Sequence, residues 1–144
     1  MNKRLLGLVV LATLLLAGQA WGAVFQYSLP TKGIYLWIPP KAEHVRGIII
    51  GGQTLIEKTF VQDPQIRAVA EEQQLAIVFM LQGGGGFDMA AYKATGTQPM
   101  FAELAKISGY PELEYVPLMS VCHSAAGEFG RNVAYYHPER CFGA

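Results

Sequence analysis

Cysteine, histidine and unbalanced charge are all scarce in these 144 residues, and each scarcity narrows the chemistry. The three histidines, His44, His123 and His137, stand far apart. No cluster of His, Cys or carboxylates has metal-ligand spacing, so neither a metal nor a cofactor is expected. Eleven basic residues balance eleven acidic ones. No basic stripe offers a nucleic-acid footprint. Repeats, charge blocks and domain linkers are absent as well, and the chain reads as one domain.

What is present begins with Asn2-Lys3-Arg4 followed by an almost uninterrupted apolar run from Leu5 to Ala17. Positive and then apolar is the order of a signal peptide, and Ala20 and Gly22 supply the small residues read at its cleavage site. Residues 1–22 are therefore expected to be a signal peptide, with the mature domain spanning 23–144 and delivered to the periplasm or the medium. A membrane anchor is the alternative, but the run is shorter than the roughly 20 residues a bilayer span needs. Gln19 stands where a lipoprotein would carry its lipid-bearing Cys. With Lys3 and Arg4 cleaved away, nine basic residues face eleven acidic ones, a formal charge of about −2.

Val24 to Leu29 and Ile34 to Pro39 are β-rich runs separated by Pro30-Thr31-Lys32-Gly33, which predicts a hairpin. Gly47 to Gly52, Leu75 to Met80 and Val116 to Val121 are apolar without polar alternation, the pattern of strands covered on both faces. Asp63-Pro64 starts a helix whose Ile66, Val69 and Ala70 face inward. Gln82 to Asp88, with four consecutive glycines, reads as a mobile loop bordering a crevice; no Gly-Lys-Ser/Thr follows to make it a phosphate cradle. A second helix spans about Pro99 to Ser108, capped by Thr97, with Phe101, Leu104, Ala105 and Ile107 inside and Gly109 as its stop. A third runs from about Ser124 to Tyr136 and ends before His137-Pro138. Cys141 to Ala144 opens a further strand. The alternation predicts an α/β fold, a mostly parallel sheet with an N-terminal hairpin and helices on both faces.

Two cysteines in an exported chain invite a disulfide. Here Cys122 closes one strand and Cys141 opens the next, with about 20 Å of helix between them against a Cα limit near 7 Å. Two buried thiols are expected, or a partner for Cys141 elsewhere.

The chemistry lies in Val121-Cys122-His123-Ser124-Ala125-Ala126-Gly127, where a buried strand meets a helix. A serine nucleophile on a strained strand-to-helix turn needs small residues two before and two after it. Cys122 and Ala126 hold those positions, and Gly127 and Gly130 let the helix approach the sheet. Such a hydroxyl points into the crevice at the strand's C-terminal edge, above a helix start that favours developing negative charge. The plainer reading makes Ser124 an N-cap only. Glu128 reads as an ordinary first-turn carboxylate, Asp63 as a cap, Asp88 as a loop residue and His44 as a surface residue.

Followed by Tyr136-His137-Pro138-Glu139-Arg140, this stretch resembles the segment from nucleophile elbow to next strand of α/β-hydrolase-fold serine esterases. In layout it is similar to the exported polyhydroxybutyrate depolymerase and feruloyl esterase group. The resemblance covers the whole mature chain in element order and about Val116 to Ala144 in motif. It implies acyl transfer on a small-molecule or polymeric carboxylic ester. Ser124 is then the nucleophile, and the backbone N–H groups of Ala125 and of Gln53, with Thr54 next, form the oxyanion hole. The family's order of Ser, acid, His puts the acid and base beyond Ala144. Residues 23–144 are thus expected to be the N-terminal part of the domain, weakly active or inactive alone. His123 then shapes the pocket, and His137 terminates the helix. A thioesterase or peptidase of the same fold, or an exported non-catalytic binding protein, remains open.

Overall fold

The computed structural model describes residues 25–52, 57–81 and 87–144, so the predicted signal peptide (1–22), Gln53, Thr54 and most of the glycine-rich loop lie outside the described residues. Strand β1 (Tyr27–Leu29) and β2 (Ile34–Trp37) form the expected antiparallel hairpin, with Tyr27 opposite Leu36 and Leu29 opposite Ile34. Pro30 opens a 3-10 turn between them, and Gly33 leaves it at φ +61. A Cβ there would also stand 3.0 Å from the Leu81 Cβ, so both conformation and space call for glycine.

The sheet continues through β3 (Gly47–Gly52), β4 (Leu75–Met80), β5 (Leu118–Val121) and β6 (Cys141–Gly143). Its spatial order is β1-β2-β4-β3-β5-β6, antiparallel between β1, β2 and β4 and parallel from β4 to β6. The protein is an α/β fold on a mixed, mostly parallel six-stranded sheet. Helices α1 (Glu57–Gln62) and α2 (Pro64–Glu72) connect β3 to β4. Helices α3 (Met89–Thr95) and α4 (Pro99–Ser108) connect β4 to β5, and α5 (Gly127–Tyr136) leads from β5 to β6.

Continuous apolarity in β3 and β4 serves two cores, because successive side chains point to opposite faces. Ile48, Ile50, Ala76, Val78 and Met80 pack with α3, α4 and α5 through Tyr92, Met100, Phe101, Leu104, Phe129 and Val133. Ile49, Ile77 and Phe79 pack on the other face with Trp37, Val61 and Ala70. Burying a side chain of this size contributes roughly 1.5–3 kcal/mol, so the two layers supply the main driving force. Among the described residues no helix is long and apolar enough to cross a membrane.

The Asp63 cap forms as expected, its carboxylate accepting from the N–H groups of Gln65 (2.8 Å) and Ile66 (3.1 Å). Several expectations are corrected. Val69 is 57% exposed, leaving Ala70 as the buried contact of α2, and Ile107 is 44% exposed while Met100 takes the inward place on α4. Thr97 does not cap α4; its hydroxyl shares a hydrogen bond with that of Thr95. Gln98 holds the cap position, and its buried amide clasps the Asp88 backbone at both N–H (2.7 Å) and C=O (2.6 Å). Asp88 is no simple loop residue but the N-cap of α3, accepting from Ala91 N–H at 3.0 Å. Cys122 and Cys141 form no disulfide, as the strand geometry requires, but are half-buried rather than buried.

Candidate functional site

The parallel part of the sheet reverses its direction of growth at one place. The chain leaving β3 turns toward β4 on one side, and the chain leaving β5 turns toward β6 on the other. In open α/β sheets the connections diverging from such a switch point leave a crevice outside the carboxyl ends of the strands. Gly51 pairs with Val121, so the backbone leaving β3 and the Cys122-His123-Ser124 turn start side by side.

Ser124 sits in that turn with φ +56, a left-handed conformation that costs a non-glycine residue about 1 kcal/mol or more. The comparison with Gln74, also at φ +56, is instructive. Gln74 follows the end of α2 and returns its N–H to Glu71 O, the ordinary use of a left-handed residue at a helix C-terminus. Ser124 stands at a helix start, where caps are extended. Its conformation is that of a side chain turned out of the strand line. His123, extended at φ −131, precedes it, and the 3-10 turn Ser124–Ala126 leads into α5 without a side-chain cap. The N-cap explanation of this serine fails on both counts.

Below the turn, α5 lies directly on β5. A Cβ on Gly130 would stand 2.7 Å from the Ser120 Oγ, so glycine is what permits this approach. Gly127 does not share the role expected of it, since a Cβ there would meet nothing within 4 Å. Ala126 fills the position two after the serine and is buried. The N–H of Ala126 donates to His123 O and that of Gly127 to Ser124 O. Ala125 precedes these first turn bonds, so its N–H belongs to the set that a helix start leaves over.

The remaining sequence candidates lie elsewhere. His44 is at the opposite, N-terminal edge of the sheet, ahead of β3 and 3.9 Å from Glu112, whose carboxylate accepts the Val45 N–H. His137 caps the far end of α5, its ring nitrogens meeting the Glu139 carboxylate (2.8 Å) and Lys93 O (3.2 Å) and its edge packed on Tyr92. The hydrogen bond from His137 holds the Glu139 carboxyl below the usual carboxylate range. Burial raises the Tyr92 phenol to about 12, and its hydroxyl points to Val133 O. Neither group faces the elbow. Glu128 is an exposed first-turn carboxylate on α5, as expected.

Sequence reading overlooked two residues beside the elbow. Ser120, four positions before Ser124, is 4% exposed, and its hydroxyl has no hydrogen-bond partner among the described residues. Arg131 follows one turn into α5. Both line a cavity of about 270 Å3 with Cys122, Gly127, Gly130 and Ala144. The available signal was a lone hydroxyl inside the apolar Pro117-Leu118-Met119-Ser120-Val121 run.

No protein family, no curated protein and no solved structure matches this chain.

Proposed function

We propose that the chain is a serine hydrolase with an α/β-hydrolase-type fold, cleaving carboxylic esters by acyl transfer through Ser124. The observation that carries this reading is the left-handed Ser124 between the end of β5 and the start of α5, at the switch point of the sheet. Strain of this kind persists only where the surroundings over-determine it, and it concentrates where a side chain must be presented to a ligand.

In the proposed reaction the Ser124 oxygen attacks the ester carbonyl carbon, and the tetrahedral oxyanion accepts hydrogen bonds from the Ala125 N–H and a second N–H beyond β3, assigned to Gln53. Each donor is worth about 3 kcal/mol in the transition state. Collapse expels the alcohol and leaves an acyl-enzyme, which water hydrolyses to regenerate the serine. The proton acceptor and its acid partner come from residues other than His44 and His137, which are engaged elsewhere. With residues 1–22 as a leader, the enzyme works in the periplasm or medium on a small-molecule or polymeric ester, and thioester and peptide substrates belong to the same chemistry.

A fluorophosphonate probe and a short-chain nitrophenyl ester test the proposal. Ser124→Ala is expected to abolish both covalent labelling and ester turnover, while Ser120→Ala keeps the labelling. Labelling that persists in Ser124→Ala sinks the assignment. The distance of His44 and His137 from the elbow favours a second reading, a binding protein that keeps the turn without catalysis. That reading requires no labelling even from a folded protein that also supplies the base and acid, since residues 23–144 alone are expected to be weakly active or inactive.

A further inference from the structure

Ser124 stands among small side chains, Cys122, Ala125 and Ala126, so the elbow itself offers an ester little apolar surface. Phe87 brings a large apolar side chain to it from another segment. β4 ends at the carboxyl edge of the sheet on one side of β3, whereas Phe87 lands on α5, the helix that leaves the elbow on the other side. Its ring meets Phe129, five residues past Ser124 in the first turn of α5, edge to face with 4.6 Å between centroids. Tyr92 (5.4 Å) and Phe101 (6.3 Å) back it from α3 and α4. All three partners are buried while Phe87 is half-buried, so the open part of its ring faces away from the core. Gln98, buried itself, fixes this placement. Its amide accepts the Asp88 N–H at 2.7 Å and donates to the Asp88 C=O at 2.6 Å, gripping both backbone groups of the residue that follows Phe87. An amide carries the donor and the acceptor that this grip needs. Gln98 makes no cap hydrogen bond to α4, so its side chain serves the neighbouring segment rather than its own helix.

We infer that Phe87 is a specificity-determining residue of the Ser124 site, the wall along which an apolar acyl chain of the ester lies, with Gln98 as the positioning residue that fixes it. The inference rests on the ester chemistry proposed for Ser124 and names its substrate class, esters whose acyl chain is apolar and longer than acetyl. A ring already held by three aromatic neighbours is ordered before the substrate arrives, so packing against it costs little further ordering. Each methylene that passes from water onto such a wall raises affinity, by up to about fourfold when fully buried. An acetyl group is too short to gain from it.

Methyl ketones, which keep the ester's carbonyl and acyl chain but have no leaving group, test the wall without turnover. In NMR titrations of the full chain, 2-octanone is expected to give saturable amide shifts at Phe87, Met89 and Ala125 and to bind at least about tenfold more tightly than 2-butanone. Phe87→Ala should bring that ratio close to one, and Phe87→Leu should keep most of it. Gln98→Met, which keeps the side-chain length but loses both hydrogen bonds, should lower the ratio about threefold or more. A role confined to folding would lower the melting temperature and both affinities together and leave the ratio unchanged. A ratio near one in the wild type, or a wild-type ratio in Phe87→Ala or Gln98→Met, overturns the inference. Fluorophosphonate labelling of a protein that also supplies the base and acid reports on Ser124 separately. Labelling without ketone discrimination refutes the wall alone, and ketone discrimination without labelling refutes the esterase reading alone.

Discussion

Two glycines three residues apart on α5 make opposite predictions for the same substitution. At Gly130 an alanine Cβ would stand 2.7 Å from the Ser120 Oγ, 3.3 Å from its Cβ and 3.9 Å from the Cys122 Cβ. The first distance lies well inside contact, and Ser120 is buried with little room to yield. Overpacking at a helix-strand contact typically costs 1–3 kcal/mol, while alanine in a helix interior regains up to about 1 kcal/mol of propensity. Gly130→Ala is therefore expected to lose about 1–2 kcal/mol, near 2–6 °C in melting temperature for a domain of this size. At Gly127 an alanine Cβ meets nothing within 4 Å and φ is −60, so Gly127→Ala should gain about 0.4–1 kcal/mol. Urea unfolding at unchanged m reads both values. Ser120→Ala adds a third arm, because removing the unpaired hydroxyl leaves only the 3.3 Å approach. It should restore part of the Gly130→Ala loss while costing little alone. Shifts of equal sign at Gly127 and Gly130, or no coupling between Gly130→Ala and Ser120→Ala, refute the close approach of α5 to β5.

Replacing Ser124 by glycine should abolish probe labelling and stabilise the fold by about 1 kcal/mol, since glycine adopts φ +56 without strain; Ser124→Ala should lose labelling without that gain. Leu104→Ala is expected to cost about 2–5 kcal/mol and Ile107→Ala under about 0.5 kcal/mol by denaturant midpoint, because only Leu104 faces the sheet. The Glu139 carboxyl is depressed below its ordinary 4.5 by His137. A depressed folded value means the pair's contribution is present above the ordinary range and is lost as pH falls through the folded value. The melting-temperature gap between wild type and Glu139→Gln should hold near neutrality and close below pH 4.5. In His137→Ala, the Glu139 carboxyl carbon should titrate nearer 4.5 by NMR.

The architecture was legible where residues carry their own geometric instructions. Asp63-Pro64 announces a helix start, Gly109 a left-handed stop, and the β-branched run Ile48-Ile49-Ile50 a strand with both faces covered. Helices α1 and α3 escaped notice because six or seven residues complete fewer than two turns, too little for apolar periodicity to register. Val69 and Ile107 satisfied the helical period yet face solvent, since period alone leaves open which neighbouring stripe the sheet will cover. At the elbow, the small residues at 122 and 126 were readable from chemistry. The strained backbone expected at Ser124 is present as φ +56; the unpartnered Ser120 hydroxyl was not readable, because it depends on where α5 comes to rest.

The central position of β3 has a consequence for rigidity. Its backbone is bonded to β4 on one side and β5 on the other, and all six of its residues are buried. Such a strand opens only when the domain opens, and its amides should be among the slowest to exchange with solvent. The two chain segments leaving β3 and β5 are thus anchored to the least deformable part of the molecule. Thermal motion at the β1 edge of the sheet reaches the Ser124 turn only after crossing that stiff centre, whereas β6 adjoins β5 directly. The Ser124 turn is in this way insulated from the hairpin edge of the sheet.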